Sequence, residues 1–471
     1  MSEVILSRRI AIAWFRNDLR IFDNVLLTEA NSLCKSGRDI LCVYCFDPRH
    51  FGATSYSARK CEKFRAQFLL ESVQNLRNNL QSIQSDLLVA CGKPEDVLTS
   101  IVRQYGEDSV VLVQKEHAQE EMLVEKRVAS ALAALGGSLR LLQTGSTLYH
   151  IDDLPYRSMS DMPDVFTPVK NALEKHVKIR DLLPALEPGD LSSSAGSSMR
   201  QLFSGLSNLP DKCGLDYLPA VADLLGPSTA TADGEDISPP ARSGVMQFVG
   251  GETAGRQRLQ EWMWRDDNLK DYFDIRNGLL GERYSSKLSP WLALGCISPR
   301  LVAAEARRYE RERVANKSTY WLVWELTCRD FFRFLFLKYG ARMFYPGGAK
   351  KIDVSARWAR DPGDDVLARW TTGRTGVPIV DANMRELSQT GWMSNRGRQI
   401  VASYLIYELR VDWRKGAHHF ESLLIDHDVY SNYANWNAAA ALTGGRVNRF
   451  NMAKQTADYD PRGEYIDYWL P

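Results

Sequence analysis

Residues 424–442 read LIDHDVYSNYANWNAAAAL. Asp426 and Asp428 flank His427, Asn432 and Trp436 follow closely, and the sequence then turns to plain alanine at 438–441. Two neighbouring carboxylates can divide general-acid and general-base work. With His427 between them they can also ligate a metal ion. The bland reading is a helix cap plus an ion pair. A third chemistry uses more of the sequence. Upstream, GVPIVDANMRELSQTGWMSNRGRQIVASYL sets Asn395, Arg396 and Arg398 after a turn. An arginine from that segment, paired with one aspartate across a buried site and joined by Asn432, makes a polar lining for a large heteroaromatic ligand.

A second candidate is RYSSKLSPWLALGCISP, residues 283–299. It reads as a serine-capped helix start whose free N–H groups and hydroxyls suit a phosphate, although an ordinary capped helix has the same pattern. With 12 tryptophans in the chain, core packing is the default for Trp358, Trp413 or Trp436 taken singly. Cys42 and Cys45 spell C-x-x-C inside ILCVYCF, a buried-strand pattern. Residues three apart on a strand point to opposite faces, which argues against a redox pair. The 7 histidines show no ligand spacing, and His418 with His419 reads as a solvated helix face.

The elements that must position these residues divide the chain of 471 residues into unlike parts. RIAIAWF, DILCVYCF, DLLVAC, SVVLVQK and LRLLQT read as buried parallel strands, with helical periodicity in CEKFRAQFLLESVQNLRNNLQSI and AQEEMLVEKRVASALAAL between them. This βαβ series predicts a Rossmann-like parallel α/β domain over 1–150. It holds no G-x-G-x-x-G and no Walker A sequence, so a dinucleotide or triphosphate site there is unsupported. Residues 151–248 include PGDLSSSAGSSMRQ and GPSTATADGEDISPPARSG, the composition of an interdomain linker. From 249 to 471 the pattern is helical, with Trp, Tyr, Phe and Arg interleaved, and a second, all-α domain is expected.

Composition fits an ordinary globular protein, 44% hydrophobic and 25% charged. No apolar stretch is long enough to span a membrane. Residues 1–9 are too short and polar for a signal peptide, and 8 irregularly spaced cysteines suit a reducing compartment, so an intracellular protein is expected. Formal charge is +1, with the basic excess in the C-terminal half, which is compatible with a polyanionic partner.

As a set, WFRNDLRIFDN, YSSKLSPWLALGCISPR, WELTCRDFFRF, TGVPIVDANMRELSQTGWMSNRGRQIVASYL, VDWRKGAHHF and LIDHDVYSNYANW resemble the photolyase/cryptochrome family. FVGGETAGRQRLQEWMW, NRGRQIV, SNYANW and YDPRGEYIDYWLP are similar to its DASH branch. The resemblance covers nearly the whole chain outside the linker, in the same order. It implies a monomeric FAD protein with the flavin held in the helical domain. Tyr272, Ser285, Ser286, Lys287, Leu288 and Ser289 fall where the family grips the diphosphate. Arg398 and Asp426 match the ion pair beside the isoalloxazine, Asp428 a second carboxylate there, and Asn432 the residue opposite flavin N5. Trp436, Trp413 and Trp358 match an electron-hopping chain, with Trp370 as the rival of Trp358 across a short insertion. The α/β domain becomes an antenna domain, with methenyltetrahydrofolate between the domains and Glu116 against its pterin.

The resemblance also implies single-stranded DNA as partner, with RNA or duplex DNA as alternatives, and light-driven repair of cyclobutane pyrimidine dimers. Glu325 and Asn395 match the residues that hydrogen-bond a flipped dimer. Arg329, Arg396, Arg446 and Arg449 are expected on phosphates. Two aromatic walls normally flank the dimer, and here those positions are Cys328 and Ala438. Trp324 and Trp392 are the possible substitutes. The alternative to an altered photolyase is a photoreceptor or regulator that keeps the flavin and electron chain without repair.

Overall fold

The computed structural model describes residues 9–471 apart from 55, 57–58, 106–107, 144, 193–198, 205, 207–208, 227–243, 359–362, 446 and 448. All five expected strands form: β1 (Ile10–Phe15), β2 (Asp39–Phe46), β3 (Leu88–Cys91), β4 (Val110–Gln114) and β5 (Ser138–Leu142). They pair in parallel in the order β5-β4-β1-β2-β3, with β1 and β2 in register from Ile10↔Asp39 to Phe15↔Tyr44. Every residue of β1, β2 and β4 is buried, the condition of a parallel sheet covered on both faces. The cover comes from α1 (Val25–Lys35), α2 (Lys63–Ser82), α3 (Pro94–Tyr105) and α4 (Gln119–Ala133). Cys42 and Cys45 lie buried in β2, and burial pushes both thiols up, far from a reactive thiolate.

The stretch expected as a linker is more than a tether. It carries α5 (Phe166–His176), α6 (Met199–Ser204), the short strand β6 (Cys213–Gly214) and α7 (Val221–Leu225). β6 joins the sheet antiparallel to β3, so part of this stretch completes the α/β layer.

The remainder is helical: α8 (Glu252–Gln260), α9 (Tyr272–Ile275), α10 (Ser289–Ala293), α11 (Pro299–Glu312), α12 (Lys317–Tyr339), α13 (Ser355–Trp358), α14 (Asp364–Thr371), α15 (Pro378–Thr390), α16 (Asn395–Ser403), α17 (Trp413–Leu423), α18 (Val429–Ala439), α19 (Met452–Tyr459) and α20 (Glu464–Trp469). Among the described residues no helix is long and apolar enough to cross a membrane. Buried polar contacts join the two halves. Arg300 forms an ion pair with Asp23 at 2.6 Å, Arg20 donates to Gly295 O at 2.8 Å, and Tyr149 N donates to Asp330 at 2.8 Å. Breaking the Arg300–Asp23 pair one-sidedly would cost about 3–5 kcal/mol, because it leaves a buried charge unpaired.

Candidate functional site

Asp426 is the centre of the polar cluster. It sits in the turn between α17 and α18, nearly buried, and accepts from Arg398 Nη2 at 2.8 and 3.0 Å and from Ser289 Oγ at 2.7 Å. Arg398 is fixed further by donation from Nε to Met393 O. The sequence brings three distant segments to one carboxylate here. Asp428 is the N-cap of α18, accepting from Tyr430 N at 2.8 Å and Ser431 N at 3.2 Å, with Arg329 at 3.6 Å. One α-helical turn on, Asn432 is buried and donates to Ala417 O at 3.0 Å, which fixes its amide. The cap and ion-pair chemistry is therefore real. No metal-holding group of three occurs among the described residues, and the two carboxylates are committed, Asp428 to the cap and Asp426 to its ion pair. His427 turns instead into a cavity, and burial lowers its pKa well below the ordinary value.

The 285–289 loop departs from the serine-capped helix expected there. α10 begins after Leu288 with no side-chain cap, and Ser289 spends its hydroxyl on Asp426. The loop is shaped by two buried cations. Arg258 donates to the carbonyls of Glu282, Ser285 and Ser286. Lys287 adopts φ +54°, a left-handed conformation uncommon for lysine, and donates inward to Glu282 O at 3.1 Å over the Tyr284 ring. With the carbonyls drawn to one side, the N–H groups of Ser286, Lys287 and Leu288 make no hydrogen bond among the described residues. Such a run of open backbone donors suits an anion. The Lys287 side chain supports the loop, because the residue is 2% exposed and its Nζ already donates to Glu282 O, which leaves its backbone N–H to face a ligand. Tyr272 is similarly engaged, its hydroxyl donating to Glu325.

The tryptophans separate into two groups. Trp436 is buried, and α17 approaches it through Gly416, where a Cβ would lie 2.3 Å from the Trp436 ring. Trp370, fully buried, meets Trp436 with centroids 6.4 Å apart at 73°. Trp413, also fully buried, donates to Pro346 O and meets the Tyr433 ring at 6.3 Å. Trp358 is half-buried at the end of α13, its indole N–H buried without a partner. The structure thus places the rival, Trp370, directly against Trp436.

Glu325 lies on α12 with both carboxylate oxygens occupied, one by Tyr272 and the other by Trp321 Nε1 at 3.0 Å. Burial raises its pKa. Asn395 opens α16 and is exposed. Cys328 and Ala438 are half-buried, and neither suggested aromatic is free to replace them. Trp324 is stacked on Trp321 (4.2 Å, 18°) and meets Phe166 edge-on at 5.0 Å. Trp392 is stacked on Phe248 at 4.8 Å with Arg398 over it at 5.4 Å.

The four arginines expected on phosphates fare differently. Arg329 is half-buried, its side chain 14% exposed, and donates to Ser146 O and Leu292 O, so its guanidinium braces the domain junction. Arg396 is half-buried over the Tyr459 ring with Gln399 and Asn277 as partners. Arg449 is exposed but paired with Glu408 at 2.9 Å. Arg446 lies outside the described residues.

A cavity of about 540 Å³ opens between the α/β and helical parts. Arg16, Arg65, Glu121, His427, Tyr430 and Tyr433 are among its lining residues. Glu116 lies behind that wall. Its carboxylate accepts from the Tyr430 hydroxyl at 2.5 Å, with Arg333 at 3.6 Å. Burial pushes Glu116 up, but Arg333 and Arg16 outweigh it and hold the pKa below the ordinary value. Tyr430 thus stands between Glu116 and the cavity. Sequence reasoning missed Tyr430 and Tyr433, although both stand in the quoted cluster. It also misplaced His418 and His419, which are half-buried on α17, His418 against Tyr433 and His419 against Trp370. The amphipathic pattern of that helix carried the only available signal.

Comparison with known proteins decides among these readings. The profile described as DNA photolyase matches residues 11–188, and that described as the FAD binding domain of DNA photolyase matches 321–471. Cryptochrome DASH, chloroplastic/mitochondrial, of Ostreococcus tauri is 43% identical over 481 residues, covering 99% of this chain and 84% of the relative. The chain belongs to the photolyase/cryptochrome family, in its cryptochrome DASH branch. The crystal structure of a Synechocystis cryptochrome superposes with a TM-score of 0.85 at 41% identity, covering 100% of this chain and 90% of that one. A class III photolyase from Agrobacterium tumefaciens does so at 0.74 and 27%, covering 100% and 88%. The α/β domain with a helical FAD-binding domain is therefore the family's architecture, and the open N–H run at 286–288 and the Arg398–Asp426–Ser289 cluster fit such a cofactor.

Proposed function

We propose that this protein is a blue-light-absorbing flavoprotein that binds single-stranded nucleic acid and has a weakened capacity to repair cyclobutane pyrimidine dimers. The observation that carries the reading is the buried Asp426, which ties Arg398 and Ser289 together just before the helix that carries Asn432. In it, Ser285, Ser286, Leu288 and Ser289 hold the diphosphate of FAD, with Lys287 and Tyr272 supporting them. Arg398, Asp426, Asp428 and Asn432 line the isoalloxazine. FAD, when bound, supplies light absorption and one-electron chemistry. Trp436 relays electrons, with Trp413 and Trp370 beyond it. The cavity between the two parts suits a folate antenna such as methenyltetrahydrofolate, within the usual 300–1,000 Å³ range of small-molecule sites. Glu325 and Asn395 are the groups available to a flipped dimer.

The test is cofactor content. Purified protein should show a flavin absorption spectrum and bleach under blue light with a reductant present. Colourless protein that takes up no added FAD refutes the proposal. A second reading, a photoreceptor or regulator without repair, is favoured by Cys328 and Ala438 and by the full engagement of Glu325. Light-dependent loss of dimers from a single-stranded oligonucleotide separates the two.

A further inference from the structure

Tyr433 has no part in the roles above. It stands on α18 between Asn432 and Trp436, 4% exposed, with its ring 6.3 Å from that of Trp413 at 81°. Its hydroxyl donates to Glu421 Oε2 at 2.8 Å, and His418 Nδ1 lies 3.4 Å away. Both Tyr433 and Glu421 face the cavity between the domains. A phenol beside an indole of the electron relay, with its hydrogen already pointed at a carboxylate, has the geometry required of a general-base pair. Burial raises the Glu421 pKa, which makes its carboxylate a stronger base than an exposed one. Burial first, and Glu421 second, push the Tyr433 phenol well above its ordinary value. Ionisation before oxidation is thereby closed off, and electron and proton must leave together.

We propose that Tyr433 is an electron donor to oxidised Trp413 and releases its phenolic proton to Glu421 in the same step. The inference rests on the reading of Trp413 and Trp436 as an electron relay. Trp413, having passed an electron to Trp436, is a radical cation. It gains one electron from Tyr433, the phenolic O–H bond breaks, and a new O–H bond forms on Glu421. The products are neutral Trp413, a neutral tyrosyl radical and protonated Glu421, with total charge unchanged. The electron vacancy thus leaves the buried helices for the cavity wall. From there His418, 5.9 Å from Tyr433, and Tyr56, 5.0 Å from His418, lead outward.

The experiment is transient electron paramagnetic resonance and absorption after a blue flash on the FAD-loaded protein, for the wild type, Tyr433→Phe and Glu421→Gln. In the wild type a tryptophanyl signal should give way to a tyrosyl signal, identified by its change on ring-deuterated tyrosine. Tyr433→Phe should abolish the tyrosyl signal and lengthen the tryptophanyl lifetime by about tenfold or more, a barrier change of the size set by transition-state arithmetic. Glutamine at 421 still accepts the hydrogen bond but cannot take the proton, so it should slow the same conversion where a merely structural bond would not. A flavin-independent readout follows the same transfer in flavin-stripped protein after tryptophan oxidation by azide radicals. Tryptophanyl without tyrosyl signal in the wild type, or unchanged decay in Tyr433→Phe, overturns the assignment of Tyr433 alone. No tryptophanyl signal at all, with FAD bound, overturns the relay on which it rests.

Discussion

Restoring the two missing walls, by Cys328→Trp together with Ala438→Tyr, should raise affinity for a dimer-containing strand and the yield of its repair. Base–aromatic stacking is worth about 1–3 kcal/mol per base, so two walls contribute about 2–6 kcal/mol. At ~1.4 kcal/mol per factor of ten, that is roughly 30-fold to 20,000-fold in affinity. Nothing else in the structure offsets the loss. Trp324 is stacked on Trp321 at 4.2 Å, Trp392 on Phe248 at 4.8 Å, and both oxygens of Glu325 are already hydrogen-bonded. Any bond from Glu325 to a dimer is an exchange, and a hydrogen bond exchanged on binding nets only about 0.5–1.5 kcal/mol. Flipping costs a few kcal/mol more in duplex than in a single strand. Both positions are half-buried, so overpacking of about 1–3 kcal/mol would reduce the gain. Fluorescence anisotropy with oligonucleotides bearing one dimer, single-stranded and duplex, measures the binding; light-dependent loss of the dimer measures repair; a melting curve confirms the fold. The reasoning is refuted if the unmodified protein binds and repairs duplex dimers as well as a correctly folded double variant.

Trp436→Phe should leave FAD bound and slow photoreduction by about tenfold or more. Trp370→Phe should then slow it more than Trp358→Phe, because Trp370 is the ring 6.4 Å from Trp436; equal rates in the last two variants would remove Trp370 from the relay. Glu386 is buried, accepts from Tyr465 at 2.7 Å, and has its pKa raised by burial from 4.5 to about 8. The folded state therefore holds a proton that the unfolded chain releases, so this group's contribution is fully present below pH 4.5 and falls as pH rises toward 8. Glu386→Gln should flatten the stability profile in that window and melt higher than the wild type above pH 8; parallel melting profiles would contradict the assignment.

Much of the fold was legible because it follows from local pattern. The five apolar runs became the five parallel strands, since a sheet buried on both faces demands such runs. Asp428 became a helix cap because an aspartate before an amphipathic turn has few better uses. What stayed hidden was decided by partners far away in sequence. Glu116 is fixed by Tyr430, 314 residues distant, and no spacing rule reaches that far. Arg329 looks like a phosphate ligand until Ser146, 183 residues earlier, is seen to hold it. Lys287 turns inward because Arg258 gathers the loop's carbonyls, and which of two buried cations faces a ligand is a matter of packing.

On the proposed reading, the alanine run lets one helix lose one role and keep another. Asp428, Asn432 and Trp436 recur at intervals of four, which puts the cap, the buried amide and the buried indole along one stripe at the start of α18 and down its length. Ala438 follows Trp436 by two residues, roughly 200° around the helix. A change at 438 therefore trims a different face from the one that carries the proposed flavin contacts. Loss of a wall there costs the helix little, because alanine is the best helix former. It also costs the core little, because the position is half-exposed. On the proposed reading, selection could relax on substrate binding while Asp426, Asn432 and Trp436 stayed under constraint from the cofactor. Cys328 is the parallel case on α12, one α-helical turn from Glu325, where a small residue again occupies a half-exposed site without disturbing the buried face that bears Leu322 and Leu326. The two positions lie on different helices, α12 and α18. On the proposed reading both would border the dimer site, and one relaxed demand there accounts for the pair.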